Sequence, residues 1–375
     1  MDTNEPVTLA NWRRLPWSRW AFHHVAELVP VAMIPADLTR SKPLPLGSAT
    51  PDGLDLDALL QETDTDGFLI LHDGKIVFER YANGLTATIP HIVFSVSKSI
   101  TAILVGILVA RGQLNPDALV RHYVPEVAHA AYGDCTVRHV LDMTVNIAFE
   151  EDYLDPDGAF ARYREAMGWN PVADPASAPD LHDFLATLPH GDGRHGARFH
   201  YVSPNADLLG WIIERASGVR YAALLSAAIW KPMGAEADAS VTIDKSGAAR
   251  SAGGICMTLR DLGRFGEMLR GHGRVGDTQI VPQPWIDDIR ENGDVEAWAR
   301  GDLMTLLPQG RYRSQWYLTG NDHGAYCAIG IHGQWLYIDP KASLVIAKLS
   351  SQALPVDDPM DHRLLRAFEA LGRAF

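Results

Sequence analysis

Strand-like segments stand near both ends of this 375-residue chain, with helix-like segments between them. Gly67–His72 and Lys75–Tyr81 are joined by Asp73-Gly74, a two-residue turn typical of a β-hairpin. Near the C-terminus, Gln334–Asp339 and Ser343–Leu349 have the same strand-like character. We therefore expect an α+β fold, in which a central antiparallel sheet is assembled from both ends of the chain and a helical lobe is inserted between them.

The segments between these strands predict helices. A helix from Ser95 to Arg111 is expected to be buried on all sides, because its middle is apolar all round and Gly112 follows its last turn. Further helices are predicted at Trp17–Leu28, Thr136–Asp142, Leu181–Leu188, Ala206–Ala216, Thr258–Gly271 and His362–Ala374.

The length predicts one large domain or two fused lobes over residues 1–375, and no internal repeat or low-complexity segment divides the chain. Strands at the two ends place those ends in one lobe and the central helices in another. The expected divisions are an irregular N-terminal arm (1–60), an α/β lobe (61–112 and 250–375) and a mainly helical lobe (113–249).

Composition limits the partners of the chain. A formal charge of −13 disfavours nucleic acid and anionic membrane surfaces, since both attract basic proteins. The longest apolar run, Ile100–Ala110, has 11 residues, short of the roughly 20 that span a bilayer. The N-terminus is acidic and unlike a secretory signal, and Cys135, Cys256 and Cys327 are sparse and far apart, as in reducing compartments. We expect a soluble cytoplasmic protein.

Ser95-Val96-Ser97-Lys98 carries the clearest chemical signal. Residues three apart share a helix face, so the Lys98 amine can reach the Ser95 hydroxyl. A serine hydroxyl needs a base to become a nucleophile, and a lysine can serve if burial lowers its pKa. The N-terminus of the helix supplies backbone N–H donors for an oxyanion. The alternative is a helix-capping serine with a nearby surface lysine.

Tyr201, just before a predicted helix, is the best candidate for a second functional group. It could give a proton to a leaving group if a lysine lowers its pKa, whereas the alternative is a core tyrosine. Neither Gly-x-Ser-x-Gly nor His-Glu-x-x-His occurs in the sequence, and we expect no metal centre and no organic cofactor. Gly191–Gly196 matches a dinucleotide-binding glycine pattern, but its flanking segments are in the wrong order, so it predicts a surface turn.

Ser95-x-x-Lys98, Tyr201 and His332-Gly333 resemble the three motifs of the serine β-lactamase and penicillin-binding-protein superfamily, where many members have Lys-Thr-Gly in third place. Within it, the chain from about residue 12 onwards is similar to the 6-aminohexanoate-dimer hydrolases and their esterase relatives. The similar stretches are Arg19–Phe22, Leu141–Val145, Glu151–Tyr153, Gln315–Asn321 and Gly330–Gln334.

The resemblance implies a role for each matched residue. Ser95 would be the nucleophile, Lys98 its base partner and Tyr201 the proton shuttle. The backbone N–H groups of Ser95 and Ile331 would form the oxyanion hole. Tyr153 would lie on a mobile loop and contact the scissile amide nitrogen. The other implied substrate-binding residues are Ala252, Tyr317, His332, Arg164 and Glu165.

Two of these positions depart from the family pattern. Ala252 stands where relatives have Asn or His. Arg164 stands where the best nylon-dimer hydrolases hold the substrate ammonium with an aspartate, and it would repel an ammonium unless Glu165 turns inward.

The sequence therefore predicts a serine hydrolase that cleaves short linear amides or carboxylic esters through an acyl-enzyme on Ser95. The alternatives are a carboxylesterase with little amidase activity, and a catalytically inactive ligand-binding protein on the same scaffold. The third motif and the absence of an export signal disfavour a β-lactamase or a cell-wall peptidase. The family also suggests a homodimer.

Overall fold

The computed structural model describes residues 5–48 and 54–375; residues 1–4 and 49–53 of the predicted arm lie outside the described residues. The strands are β1 (Val31–Ile34), β2 (Thr65–His72), β3 (Lys75–Tyr81), β4 (His91–Ile92), β5 (Ala239–Thr242), β6 (Ile255–Met257), β7 (Arg274–Val275), β8 (Thr278–Gln279), β9 (Arg311–Arg313), β10 (Trp316–Leu318), β11 (Tyr326–Gly330), β12 (Gln334–Asp339) and β13 (Leu344–Ser350). The helices are α1 (Trp17–Ala21), α2 (Leu56–Glu62), α3 (Val96–Ala110), α4 (Val137–Leu141), α5 (Ala159–Ala166), α6 (Leu181–Ala186), α7 (Ser203–Ser217), α8 (Tyr221–Leu225), α9 (Leu259–Arg270), α10 (Gln283–Glu291), α11 (Val295–Ala299) and α12 (Asp358–Ala374). Short 3-10 turns lie at Val25–Glu27, Val120–His122 and Pro125–Val127, and a π-helical turn lies at Ser226–Trp230.

An antiparallel sheet in the order β3-β2-β13-β12-β11-β10-β9 forms the centre of the molecule. Strand β2 pairs along its length with β13, so the predicted sheet built from both ends of the chain is confirmed. The hairpin between β2 and β3 turns at Asp73 and Gly74, whose φ angles are 49° and 73°. Two successive left-handed residues are what a two-residue hairpin turn requires, which explains the Asp-Gly pair.

Side chains of the sheet alternate between two apolar layers, as the two-residue period of a strand requires. On one face, Leu69 belongs to a buried cluster that includes Phe265 of α9. On the other face, Phe68 belongs to a separate buried cluster that includes Phe368 of α12. Helices thus cover both faces, which leaves the strand ends and the loops beyond them to form a site.

Helix α3 is buried from Val96 to Leu108, as its apolar composition predicted. The chain enters it through Phe94, whose φ of 42° is left-handed and unusual for a bulky residue. This sharp entry places Ser95 at the N-terminal end of the helix, against the end of β11. Although α3 is strongly apolar, none of the helices in the described ranges has both the length and the hydropathy of a membrane span.

A second antiparallel sheet, in the order β1-β5-β6-β4, was not predicted. Strand β1 lies in the segment expected to be an irregular arm, and β5 lies where helices and loops were expected. These strands have only two to four residues, too few to show an alternating pattern. Their partners are also distant in sequence, as for Val31 and Thr242.

Three helix predictions need correction. The helix expected over Trp17–Leu28 ends at Ala21 and is followed by a 3-10 turn. The helices expected over Ala206–Ala216 and His362–Ala374 begin earlier, at Ser203 and Asp358, because a proline is tolerated in the first turn of a helix. The lobe boundaries at 61–112, 113–249 and 250–375 stay a prediction.

Candidate active site

Ser95 and Lys98 meet at the N-terminal end of α3. The Nζ of Lys98 lies 2.7 Å from the Oγ of Ser95 and donates a hydrogen bond of 2.9 Å to the carbonyl oxygen of Ala252. Lys98 is 1% exposed and Ser95 is 9% exposed. The alternative of a capping serine with a surface lysine is wrong, because Ser95 makes no side-chain cap and Lys98 is buried.

Burial changes the protonation of this lysine. It lowers the pKa of Lys98 from 10.5 to about 7, because the ammonium form loses its hydration. The carboxylates of Glu151 and Asp207 act in the opposite direction, while the Arg250 guanidinium adds to the lowering. At neutral pH, a substantial fraction of Lys98 is therefore a neutral amine. An amine in this position can accept the proton of Ser95.

Tyr201 lies against the same amine, with its ring centroid 5.0 Å from the Nζ of Lys98. Burial raises the pKa of Tyr201 above 10, and the charge of Glu151 adds to the increase. Polar interactions with the side chains of Ser95 and Tyr317 act on this pKa in the opposite direction. Lys98 is not among the groups that act on this pKa, so the condition that a lysine lowers it is not met. Tyr201 keeps its proton at neutral pH, which suits a donor to a leaving group.

The turn between β11 and β12 forms another wall of the site. Gly330 packs so closely on the entry to α3 that an added Cβ would lie 2.7 Å from the carbonyl oxygen of Val93 and 3.1 Å from the nitrogen of Ser95. Ile331, the next residue, lines the same narrow pocket as Ser95. Across residues 5–48 and 54–375, the N–H of Ser95 finds no backbone acceptor. This N–H is available to a substrate carbonyl oxygen placed between the two segments.

Two buried side chains hold the carbonyl groups of that turn. The Nε2 of Gln334 donates to the oxygen of Ile331 at 3.2 Å and to that of His332 at 3.0 Å. The Nζ of Lys348 donates to the oxygen of Gly333 at 3.1 Å. Three successive peptide groups held in this way cannot rotate freely, so the path of the turn that follows the Ile331 N–H is fixed. The sequence analysis assigned no role to Lys348, since a lysine within a strand carries no spacing signal.

Glu151 is a site residue to which the sequence analysis gave no role. Its carboxylate accepts hydrogen bonds from the hydroxyl groups of Tyr153 and Ser203, each at 2.6 Å, and from the backbone N–H of Ser203. Its charge also acts on the pKa of Lys98 and of Tyr201. The residue lies in one of the stretches that carried the family resemblance, but a lone acidic residue in a loop has no distinctive spacing.

A buried ion pair supports the acceptor of Lys98. Arg250 donates to one carboxylate oxygen of Asp207 and, at 2.7 Å, to the hydroxyl of Tyr163. The other oxygen of Asp207 accepts the backbone N–H of Ala252 at 2.8 Å. The side chain of Asp207 is 0% exposed and that of Arg250 is 4% exposed. Asp207 therefore holds the residue whose carbonyl oxygen binds Lys98.

Two cavities adjoin at Ser95. The narrow pocket at Ser95 and a larger cavity of about 330 Å³ are both lined by Tyr153 and Arg164. The prediction that Glu165 binds substrate is wrong, because its side chain is exposed and lines neither cavity. Neighbouring residues of a helix point about 100° apart, so α5 cannot direct both residues 164 and 165 inward.

The remaining predicted substrate-binding residues lie at or near this site. Ala252 lines the pocket at Ser95, and Tyr317 is buried with its ring centroid 6.5 Å from that of Tyr201. His332 lines the larger cavity, and its Nδ1 lies 2.7 Å from the carbonyl oxygen of Gln352. Burial lowers the pKa of His332 to about 4, so its ring is neutral at physiological pH.

Asp134, His190 and His195 form the one group within the described ranges whose ligand atoms could surround a metal ion. The Nδ1 of His195 accepts the N–H of Asn146 at 2.9 Å, and its Nε2 lies 3.0 Å from Asp134. A neutral imidazole has one N–H and one free electron pair, so the Nε2 donates its proton to Asp134 and has no electron pair for a metal. Hydrogen bonding accounts for the contact between His195 and Asp134. Nearby, Gly191–Gly196 forms turns, as predicted.

Comparison with known proteins gives consistent results. A match to the family described as Beta-lactamase covers residues 56–370. The chain is 39% identical over 349 residues to the 6-aminohexanoate-dimer hydrolase of Paenarthrobacter ureafaciens, which covers 92% of this chain and 88% of that protein. A solved structure from Bacillus anthracis, provisionally named a 6-aminohexanoate-dimer hydrolase, superposes with a TM-score of 0.89 at 25% identity, covering 100% of this chain and 98% of that one.

A family VIII carboxylesterase also superposes, with a TM-score of 0.63 at 17% identity, covering 85% of this chain and 95% of that one. At this identity the likeness concerns the fold alone. Together these matches confirm the resemblance inferred from the sequence and the α+β fold class that accompanied it.

Replacing Asp207 by Asn should lower the free energy of unfolding by about 3–5 kcal/mol, because the charge of Arg250 would stay buried without its counter-ion. Urea denaturation followed by circular dichroism measures the change. The matched control is Glu126→Gln, which removes an exposed ion pair with Arg215. The side chain of Glu126 is 41% exposed and that of Arg215 is 47% exposed. That loss should stay below about 1 kcal/mol. Equal small losses in both variants would contradict the supporting role of Asp207.

Proposed function

This chain belongs to the beta-lactamase family, and from that premise we propose that it is a serine hydrolase that cleaves short linear amides through an acyl-enzyme on Ser95. The observation that carries the proposal is the 2.7 Å contact between the Ser95 Oγ and the Nζ of Lys98, whose pKa burial lowers to about 7. The relative at 39% identity is named for the hydrolysis of the 6-aminohexanoate dimer, a linear amide, which supports this substrate class.

The first half of the reaction forms the acyl-enzyme. The neutral amine of Lys98 accepts the proton of Ser95 as the Oγ attacks the substrate carbonyl carbon. The N–H groups of Ser95 and Ile331 stabilise the negative charge that develops on the carbonyl oxygen. Tyr201 donates its proton to the leaving nitrogen as the C–N bond breaks, and the Lys98 ammonium then restores the proton of Tyr201.

The second half releases the product. Lys98 is again neutral and accepts a proton from water, whose oxygen attacks the acyl carbon. The bond from the acyl carbon to the Oγ of Ser95 breaks, and the Oγ recovers a proton from the Tyr201 and Lys98 pair. A carboxylic acid leaves, and both groups return to their starting protonation. The whole cycle uses side chains and backbone groups of this chain.

The alternative substrate class is carboxylic esters. An ester has no leaving nitrogen that must be held and protonated. An esterase therefore depends less on the contact that Tyr153 would make with that nitrogen. Arg164, which lines the pocket at Ser95, favours this alternative over the nylon dimer itself, because it would repel the ammonium of that substrate. An inactive binding protein on the same scaffold is disfavoured by the close contact of Ser95 with Lys98.

A cytoplasmic location and a homodimer belong to the same proposal. Cys135, Cys256 and Cys327 are buried free thiols, which supports a reducing compartment. The homodimer rests on the family resemblance alone. Sedimentation of the purified protein measures its oligomeric state.

Replacing Ser95 by Ala should reduce turnover of esters and amides by about a thousandfold or more, because the acyl-enzyme cannot form. Steady-state hydrolysis of a p-nitrophenyl ester and of the 6-aminohexanoate dimer measures the loss. The matched control is Ser99→Ala on the same helix, which removes only a hydrogen bond of 2.6 Å to the carbonyl oxygen of Gln315. Substantial turnover by a folded Ser95→Ala variant would rule out the proposed nucleophile.

The value of kcat/KM should rise about tenfold per pH unit below pH 7 and level off above it, because only the neutral amine of Lys98 accepts a proton. Burial also lowers the pKa of Lys348 to about 7, so the Lys348→Met variant is the control. If Lys98 is responsible, this variant must show the same increase of kcat/KM with pH below pH 7. The pH profile of ester hydrolysis between pH 5 and 9 measures it. A rise centred near pH 10 would contradict the account.

Replacing Tyr153 by Phe should lower kcat/KM for the 6-aminohexanoate dimer about tenfold, and that for a p-nitrophenyl ester by less than about threefold, because an amine leaves poorly unless its nitrogen is held. Parallel assays of both substrates measure the two ratios. Equal losses would contradict a contact with the amide nitrogen. Ester cleavage without amide cleavage by the unmodified enzyme would establish the carboxylesterase alternative.

A further inference from the structure

An arginine cluster lines the larger cavity beside the nucleophile and has no part in the chemistry described above. Arg13, Arg14 and Arg164 line this cavity of about 330 Å³, together with a single acidic residue, Asp155. Arg13 and Arg164 also line the narrow pocket at Ser95. In a chain whose formal charge is −13, the approach to the nucleophile is thus locally positive.

Arg13 is held in place by neutral groups. Its guanidinium donates to the carbonyl oxygen of Trp169 at 2.8 Å and to the side-chain oxygen of Asn170 at 2.5 Å. The same guanidinium lies 5.0 Å from the ring centroid of Trp12. Burial lowers the pKa of Arg13 from 12.5 to about 9, and the nearby charge of Arg164 is the next cause. These contacts orient the guanidinium without neutralising it.

Arg164 is held in the same way. It donates to the carbonyl oxygen of Tyr153 at 3.1 Å, and its guanidinium carbon lies 4.5 Å from the ring centroid of Phe160. Burial lowers the pKa of Arg164 to about 10. In the part of the chain that the structure describes, neither Arg13 nor Arg164 forms an ion pair with a carboxylate. Two partly buried cations therefore lie in the same cavity without a carboxylate in direct contact.

The carboxylates whose charges act on Arg164, those of Glu151 and Asp152, form their hydrogen bonds elsewhere, and Asp152 accepts the backbone N–H of Leu154 at 2.9 Å. Glu151 accepts hydrogen bonds from Tyr153 and Ser203. Asp155 accepts the backbone N–H of Asp157 at 3.0 Å within its own loop. Unpaired buried charge raises the free energy of an empty site, and an anion that enters removes this cost. The planar guanidinium fork matches a carboxylate in shape and in hydrogen-bond direction.

The position of the cluster indicates which part of the substrate reaches it. Tyr153 and Arg164 line both the pocket at Ser95 and the larger cavity, so a substrate bound at Ser95 can extend from one into the other. By the family resemblance, position 164 is where relatives hold the substrate ammonium, and in the 6-aminohexanoate dimer that ammonium is at the end of the acyl part. We therefore assign the arginine cavity to the acyl part of the substrate.

We propose that Arg13 and Arg164 bind a carboxylate at the far end of the acyl chain, so that the preferred substrates are amides or esters of linear dicarboxylic acids. This inference rests on the proposed serine hydrolase function and deepens it by naming the acyl group. It also explains why an arginine at position 164 is compatible with an active enzyme. The enzyme gains a partner for its buried cations and rejects an acyl chain that ends in an ammonium.

Three p-nitrophenyl esters test this preference, because they share a leaving group and an acyl chain length and differ only in the terminal group. They are the mono-p-nitrophenyl ester of adipic acid, p-nitrophenyl hexanoate and p-nitrophenyl 6-aminohexanoate. We expect kcat/KM for the adipate ester to exceed that for the hexanoate by about tenfold to a hundredfold, with the ammonium ester slowest. Equal rates for the three esters, or a preference for the ammonium ester, would overturn the proposal.

Arginine variants tie the preference to the two residues. Arg13→Gln and Arg164→Gln should each reduce the ratio of the adipate ester rate to the hexanoate ester rate about tenfold or more. The matched control is Arg162→Gln, an exposed arginine on the same helix that contacts only the carbonyl oxygen of Asp157. It should keep the ratio of the unmodified enzyme. A ratio that is unchanged in both cavity variants would overturn the assignment.

Ligand binding separates this inference from the hydrolase proposal. Isothermal titration calorimetry on Ser95→Ala measures, without turnover, the binding of the monoamide of adipic acid and of hexanamide, which differ only in the terminal carboxylate. Binding of the monoamide at least tenfold more tightly than that of hexanamide, with loss of this advantage when Arg164→Gln is added, would support the anion site even if no ester is cleaved. Cleavage of all three esters without selective binding of the monoamide would leave the hydrolase intact and overturn the anion site.

Discussion

The contact between the amine of Lys98 and the hydroxyl of Ser95 depends on burial more than on any single partner. Removing an ammonium from water is costly, so the interior of α3 shifts this lysine toward its neutral form near pH 7. The rest of the site preserves that condition. Asp207 holds Ala252, which binds the amine, and the Asp207 charge is in turn balanced by Arg250. In the proposed mechanism, burial of Lys98 therefore provides the base for Ser95.

In the proposed mechanism and anion site, the reactive and the selective groups lie in different parts of the fold. The proposed reactive groups come from α3, from the segment just before α7 and from the β11–β12 turn, whose carbonyl groups Gln334 and Lys348 hold. The proposed selective groups come from the N-terminal arm and from α5, which bring Arg13 and Arg164 to one cavity. Because these two segments lie outside the sheet and α3, the substrate class can change without moving the nucleophile.

The parts predicted from the sequence are those in which the signal is local. Asp73-Gly74 marks a hairpin, and Ser95 with Lys98 at helical spacing marks a reactive pair, because each pattern lies within a few residues. The second sheet was missed because its strands are very short and pair across distant parts of the chain. Arg13 could not be assigned to the site for the same reason, since only the fold brings it to a residue 151 positions later.

Direct titration of Lys98 tests the central claim most closely. The chain has seven lysines, and selective carbon-13 labelling at Cε lets nuclear magnetic resonance follow each amine with pH. The Lys98→Met variant identifies the signal by its loss. The account predicts that this amine titrates near pH 7, well below the usual 10.5. A Lys98 signal that stays protonated up to pH 9 or higher would contradict the proposed base and, with it, the proposed mechanism.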